Sequence, residues 1–266
     1  MIEIEYTAAV IFPSSKVGCR VFNMSLNRSR LDRFISEQFQ ISRRDVRLML
    51  AQKRVLVDGE IATDIEQIID KFSLICIDDK IVQDNLPRYI MLNKPVGVVS
   101  ATKDKQHKTV VDLLPSLKSS RSEHASLHIV GRLDLNSSGL LLLTNDSRWS
   151  SYLTSPINKI EKKYRVTLEN PLSPDYIEAF EQGMYFAFED ITTAPAKLEI
   201  LSDHVALVSL TEGRYHQIKR MFGRFRNPVV KLHRLAIGAL TLDQQLMPGD
   251  SRELSADEVK GIKISR

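Results

Sequence analysis

Cysteine is almost missing from this chain of 266 residues. Cys19 and Cys76 are the only two, too isolated to build a zinc cluster or a disulfide framework. Long hydrophobic runs are missing as well. The longest, Gly139-Leu-Leu-Leu-Leu-Thr, falls far short of the ~20 residues that cross a bilayer, so no membrane partner is expected. No segment joins a basic start to an apolar core and a small-residue cleavage site, which predicts a soluble, cytoplasmic protein. No internal repeat or low-complexity tract is visible either.

What is present is an ordinary globular composition, 43% apolar and 26% charged, in a chain long enough for a small module beside a larger core. The net charge of +4 is unevenly spread. Arg28 to Arg54 holds eight basic residues against three acids, and Gly213 to Arg234 holds seven against none. Two basic islands on an otherwise acidic chain fit a polyanion touched at two places, or two solvated helix faces.

Residues 1–24 show no clear period and read as a loose extension, with Met24 as an alternative start. A first module is expected over residues 25–77. Leu31, Phe34 and Ile35 share one face of a short helix, and Ser42 with Asp45 caps a second. Extended to Arg54, that second helix would align Arg43, Arg47 and Arg54 within about 40°. Asp58-Gly59 then signals a hairpin. The run Arg30-Leu-Asp-Arg-Phe-Ile, Ser42-Arg-Arg-Asp-Val and Arg54-Val-Leu-Val-Asp-Gly resembles an S4 RNA-binding domain. Arg43, Arg44, Arg47, Lys53 and Arg54 are its candidate RNA contacts.

A polar linker is expected over 78–87 and a second domain over 88–266. Strand-like runs lie at 89–92, 139–144, 164–168, 197–201, 205–210 and 236–242, with few crossover helices between them. One helix is signposted by Ser173, Pro174 and Gly183, and another by the apolar stripe Ile218, Met221, Phe222 and Phe225. The pattern predicts an α+β protein whose second domain is a mainly antiparallel mixed sheet.

The chemistry concentrates in Gly131-Arg132-Leu133-Asp134, followed by Ser137-Ser138-Gly139 and the apolar strand. The residues alone leave two readings open. Asp134 could be a nucleophile or base with Arg132 on phosphate, or a turn residue paired with Arg132. The stretch resembles the catalytic signature of the RsuA-type pseudouridine synthases, with Ser137 where many members have threonine. That resemblance implies Asp134 as nucleophile and Arg132 as the residue that displaces the target nucleotide. Glu212-Gly-Arg-Tyr-His-Gln-Ile-Lys-Arg-Met-Phe resembles a further family motif, implying that Lys219 pairs with Asp134 and Ile218 packs on uracil. Arg214, His216 and Arg220 of the same island are candidate substrate contacts. A lone histidine in a basic helix is ordinarily solvated, and here Tyr215-His216-Gln217 serves to separate the RsuA branch from the RluB, RluE and RluF types. Lys94, in Met91-Leu-Asn-Lys-Pro-Val-Gly, is implied to support the active-site loop, and Tyr164, after Lys162-Lys163, to stack on the target base. Lys231-Leu-His-Arg closes the pattern.

The implied reaction breaks a uridine N1–C1′ bond and rejoins the base through C5. It oxidises nothing and consumes no water, so neither cofactor nor metal is expected. The implied substrate is one uridine of 16S small-subunit rRNA, of the type numbered 516, free or in a partly assembled subunit, acted on by a monomer. Two competing readings are a large-subunit 23S rRNA synthase and a non-enzymatic ribosome-assembly factor that only binds RNA. A hydrolase would need a second carboxylate; the sequence offers Asp146, which reads as a turn residue after Thr144-Asn145.

Overall fold

The computed structural model describes residues 28–115 and 127–262. The extension expected over 1–24 lies outside them. The chain divides into two compact units, meeting between Asn85 and Leu86.

The first unit runs through β1 (Ser29–Arg30), α1 (Leu31–Phe39), α2 (Arg43–Ala51), β2 (Val55–Val57), β3 (Glu60–Ile61), β4 (Ile68–Ile69), β5 (Ile75–Ile77) and β6 (Lys80–Gln83). α1 stops where Gln40 turns left-handed, and α2 starts on a reciprocal Ser42–Asp45 capping box. Leu31 and Ile35 of α1 and Val46, Met49 and Leu50 of α2 are buried against Val55, Val57, Ile75 and Ile77. The sheet order is β3-β2-β5-β6. Both of its hairpins turn on two successive left-handed residues, Asp58-Gly59 and Asp78-Asp79, the geometry of a tight type I′ turn.

Two expectations are corrected here. Residues 78–83 are no linker: Asp78-Asp79 is a turn, and β6 completes the sheet of the first unit. The polar Asp-Asp pair concealed a hairpin because aspartate tolerates positive φ. Arg54 does not extend the arginine row of α2. The helix ends at Ala51, Lys53 turns left-handed, and the Arg54 guanidinium forms a salt bridge with Asp78, its Nε 2.7 Å from a carboxylate oxygen. Arg43, Arg44, Arg47 and Lys53 remain exposed.

The second unit contains β7 (Tyr89–Lys94), β8 (His128–Val130), β9 (Ser137–Thr144), α3 (Ser147–Thr154), β10 (Lys162–Leu168), α4 (Asp175–Gln182), β11 (Tyr185–Phe186) and β12 (Ile191–Thr192). It continues with β13 (Lys197–Ser202), β14 (Val205–Leu210), α5 (Gln217–Gly223), β15 (Val229–Ile237), β16 (Leu240–Thr241), β17 (Ser251–Glu253) and α6 (Ala256–Gly261). Among the described residues these form a nine-stranded sheet ordered β13-β14-β10-β15-β9-β7-β17, with β8 added to β9 and β16 to β15. Every pairing in it is antiparallel except β15 on β9, where Leu232–Arg234 run parallel to Ser137–Gly139.

The run of leucines in β9 is continuous because both faces of that strand are covered. Leu141 and Leu143 face a core with Ile90, Leu92, Val166, Val208, Phe180 and Phe222. Leu140 and Leu142 face a second core with Met91, Trp149, Leu153, Ile237 and Leu240. Each such side chain contributes about 1.5–3 kcal/mol by its burial, so β9 is the spine on which the preceding loop rests.

Three details depart from the sequence pattern. The strand expected at 236–242 is two: β15 begins at Val229, and Gly238, at φ +55, turns the chain into β16. Phe225 lies past the end of α5 and stacks on Tyr176 at 4.0 Å between centroids. Asp146 is more than a turn residue. Its carboxylate caps α3 by accepting from the Arg148 and Trp149 amides, and it accepts from the Tyr89 hydroxyl as well.

Candidate active site

Asp134 stands in the loop between β8 and β9, and that loop is pinned at nearly every residue. The Ser100 hydroxyl donates to the Leu133 carbonyl at 2.7 Å and accepts from the Leu133 amide at 3.1 Å. The Gly97 amide donates to the Leu135 carbonyl, and the Ser137 amide to that of Asp134. Lys94, at the end of β7, is fully buried, and its ammonium donates to the carbonyls of Pro95 (3.0 Å), Asp134 (3.1 Å) and Ser137 (2.7 Å). A buried charge is tolerable only when its donors are taken, and a lysine has three to give. Burial pushes the Lys94 ammonium down to about 8, with the Asp134 charge pulling upward and Arg234 pushing the same way as burial.

Behind the loop lies a buried arginine. Arg234 of β15 is 4% exposed; its Nε donates to the Leu140 carbonyl at 2.7 Å, and Nη1 lies 3.5 Å from that of Arg132. The backbones meet closely at this point. Gly139 sits at φ +103, and a Cβ built on it would lie 2.3 Å from the Arg234 carbonyl oxygen. Only glycine lets β9 and β15 approach like this.

The Asp134 carboxylate meets two nitrogens from the segment joining β14 to α5. His216 Nε2 lies 3.3 Å from Oδ2, and Lys219 Nζ lies 3.4 Å from the same oxygen. All three side chains are about one-third exposed, open enough to be reached and shielded enough for their charges to act on one another. His216 reaches the carboxylate from a left-handed conformation, φ 51° and ψ 27°, immediately before the helix.

The other expected residues are placed as follows. Tyr164 of β10 is 9% exposed and lies beside Arg234 in the sheet register. Ile218 is buried in the main core with Met221 and Phe222. Arg132 is exposed two residues before Asp134. Arg214 is exposed and donates through Nε to Glu212 at 3.0 Å. Arg220, expected to contact substrate, is instead bound by both guanidinium arms to Glu189 and lies over the Phe186 ring at 4.2 Å. The bidentate carboxylate and the ring hold it on the β11–β12 hairpin.

Two participants were not readable as such in the sequence. His216 was expected as a substrate contact but not as a partner of Asp134, and its approach to that carboxylate arises from the turn before α5. Arg234 belonged to a recurring motif, but its burial beneath the loop follows from the parallel β9–β15 pairing, which no local pattern encodes. Among the described residues no group of three or more His, Cys, Asp or Glu side chains could hold a metal ion, and no helix is long and apolar enough to cross a membrane.

Comparison with known proteins follows the same two-unit division. The S4 domain family matches residues 29–75, and the RNA pseudouridylate synthase family matches residues 88–223. A ribosomal small subunit pseudouridine synthase A of Pseudomonas aeruginosa is 46% identical over 234 residues, which span 88% of this chain and 100% of that protein. The protein of the same description from Escherichia coli K12 is 40% identical, over 88% of this chain and 99% of its own length. A solved structure described as a pseudouridylate synthase shares 37% identity and superposes with a TM-score of 0.63, covering 88% of this chain and 99% of its own.

Proposed function

The chain belongs to the RNA pseudouridylate synthase family and carries an S4 domain, and from that premise we propose that it converts one uridine of 16S small-subunit ribosomal RNA to pseudouridine, with Asp134 as nucleophile. One observation carries the assignment of the nucleophile: a single carboxylate, on a loop pinned by a buried lysine, shared between Lys219 and His216.

The reaction cleaves N1–C1′, turns the uracil, forms C5–C1′, and moves one proton from C5 while N1 regains one. Asp134 begins this by attack on the sugar or base, or by assisting proton removal at C2′. The Lys219 ammonium, 3.4 Å from Oδ2, balances the carboxylate's charge as the site closes over the nucleotide and water leaves. Tyr164 offers an aromatic face to the uracil and Arg132 displaces the nucleotide from its stack, since an enzyme acting on a paired base must first extrude it. Ile218 backs the base side from within the main core, and the exposed Arg214 meets the RNA backbone. Arg43, Arg44, Arg47 and Lys53 of the S4 domain contact phosphates. The small-subunit target, of the type numbered 516, follows the description of the relatives rather than any residue of the site. The reading carries with it a cytoplasmic monomer acting on naked RNA or on a partly assembled subunit.

The test is tritium release from RNA carrying 5-tritiated uridine, because C5 must lose its hydrogen. About one tritium per small-subunit RNA, lost in Asp134→Asn with binding retained, is the expected result. Release from large-subunit RNA alone would keep the enzyme and change its target. No release despite tight binding would favour an assembly factor.

A further inference from the structure

We propose that Tyr215 is a stacking platform for the base of a nucleotide adjacent to the target uridine, resting on the RNA-modifying function proposed above. Tyr215 is 76% exposed, and its ring lies flat on the imidazole of His216, with centroids 3.9 Å apart and planes within 21°. That imidazole is in turn 3.3 Å from the Asp134 carboxylate. An exposed tyrosine alone would mean little, since much of any protein surface is apolar. Tyr215 differs because one face of its ring is fixed by a residue that touches the candidate nucleophile, while the rest is open.

The backbone accounts for the arrangement. His216 is left-handed, φ 51° and ψ 27°, in the turn immediately before α5. The turn that imposes it puts His216 on Asp134 and leaves Tyr215 outward. The chemistry of the outer face suits a base: unpaired RNA bases are recognised by stacking on aromatic rings, and the neighbouring Arg214 supplies positive charge for the backbone. The occupant is not the reacting uracil. A base on the outer face of Tyr215 is separated from Asp134 by the thickness of two rings, so it belongs to a flanking nucleotide. That base would hold the strand while the uridine beside it is turned into the site.

Stacking on an aromatic side chain is worth about 1–3 kcal/mol per base, or about 5- to 150-fold in affinity. The experiment uses the full chain and the shortest RNA that the wild type turns over. Each of the two nucleotides on either side of the target is replaced in turn by an abasic ribose. Tyr215→Ala should weaken binding by that factor, Tyr215→Phe by no more than about threefold, and single-turnover tritium release at saturating RNA should change little in either. One abasic position should weaken the wild type by a similar factor and have no further effect on Tyr215→Ala, a non-additivity that a merely structural role would not produce. Unchanged affinity in Tyr215→Ala, full additivity at all four positions, or equal damage from Tyr215→Phe would each overturn the platform. A loss of single-turnover rate with affinity intact would do the same, by assigning Tyr215 to the placement of His216. If the wild type releases no tritium from any RNA, the proposed function fails and the platform with it, whereas tritium release with unchanged affinity in Tyr215→Ala fails the platform alone.

Discussion

Lys94 commits all three of its N–H donors to backbone carbonyls of the Asp134 loop and its approaches, so its proton is a structural part of the site. Burial brings that proton's departure down to about 8. Single-turnover rate should therefore fall as pH rises through about 8, when a neutral amine with two donors faces three carbonyls. Stability should move the other way. The unfolded chain keeps its proton up to 10.5, so between about 8 and 10.5 rising pH favours the folded state. Lys94→Met should be slow throughout and should lack the step near 8 in its pH profile. The cation on the carboxylate is equally exacting. Lys219→Met should reduce single-turnover rate by about 100-fold or more, while Lys219→Arg keeps the charge and should recover most of it. Gly139→Ala would push a methyl against the Arg234 carbonyl at a φ of +103. A cost above about 3 kcal/mol is expected, a fall of roughly 6–12 °C in thermal denaturation. Asp134, Lys94 and Lys219 were legible in the sequence as members of spaced motifs. His216 was legible as a substrate contact but not as a partner of Asp134, and Arg234 was not legible in its role, because one acquires its place from a turn and the other from a strand pairing.

At the scale of elements, legibility followed how locally each element is specified. The capping box of α2 and the Asp58-Gly59 hairpin are written in four or fewer residues and were readable. α3 was missed because Ser147–Thr154 holds three serines and two threonines or tyrosines among its eight residues, poor helix formers that depend on the Asp146 cap and on Trp149 packing against Tyr89 at 5.0 Å. The first half of β15 was missed because basic residues after Pro228 hide its alternation. The C-terminal segment carries its own pH dependence. Arg252 of β17 joins Asp243 to Glu258 of α6, and with the Ser255 amide it pulls the Glu258 carboxyl from 4.5 to about 2. A depressed carboxyl stabilises above its unfolded value and ceases to as pH falls through its folded one. The docking of α6 on β17 should thus weaken between about 4.5 and 2. Hydrogen exchange in α6 would show it, and Arg252→Ala should already exchange fast at neutral pH.

At the scale of the whole molecule, the two basic islands lie in different compact units, Arg28 to Arg54 in one and Gly213 to Arg234 in the other. RNA affinity should fall steeply with salt, and Arg43→Ala with Arg47→Ala should lower the log–log slope by about 1–2. The same double variant should leave single-turnover rate at saturating RNA unchanged, a direct comparison of binding with chemistry. The strand order also sets a timetable. β9 and β10 follow each other in the chain, yet β15 lies between them in the sheet, and it is translated about 60 residues after β10 ends. At roughly 5–20 residues per second the ribosome takes some 3–12 seconds over that gap. Within it β14 and β13 join β10, but until β15 arrives the edges at Ser137–Gly139 and along β10 stay bare, the kind of edge that recruits a neighbouring chain. The newborn protein therefore passes through an interval in which it is both inactive and sticky, and it leaves that interval when a single strand threads into the centre.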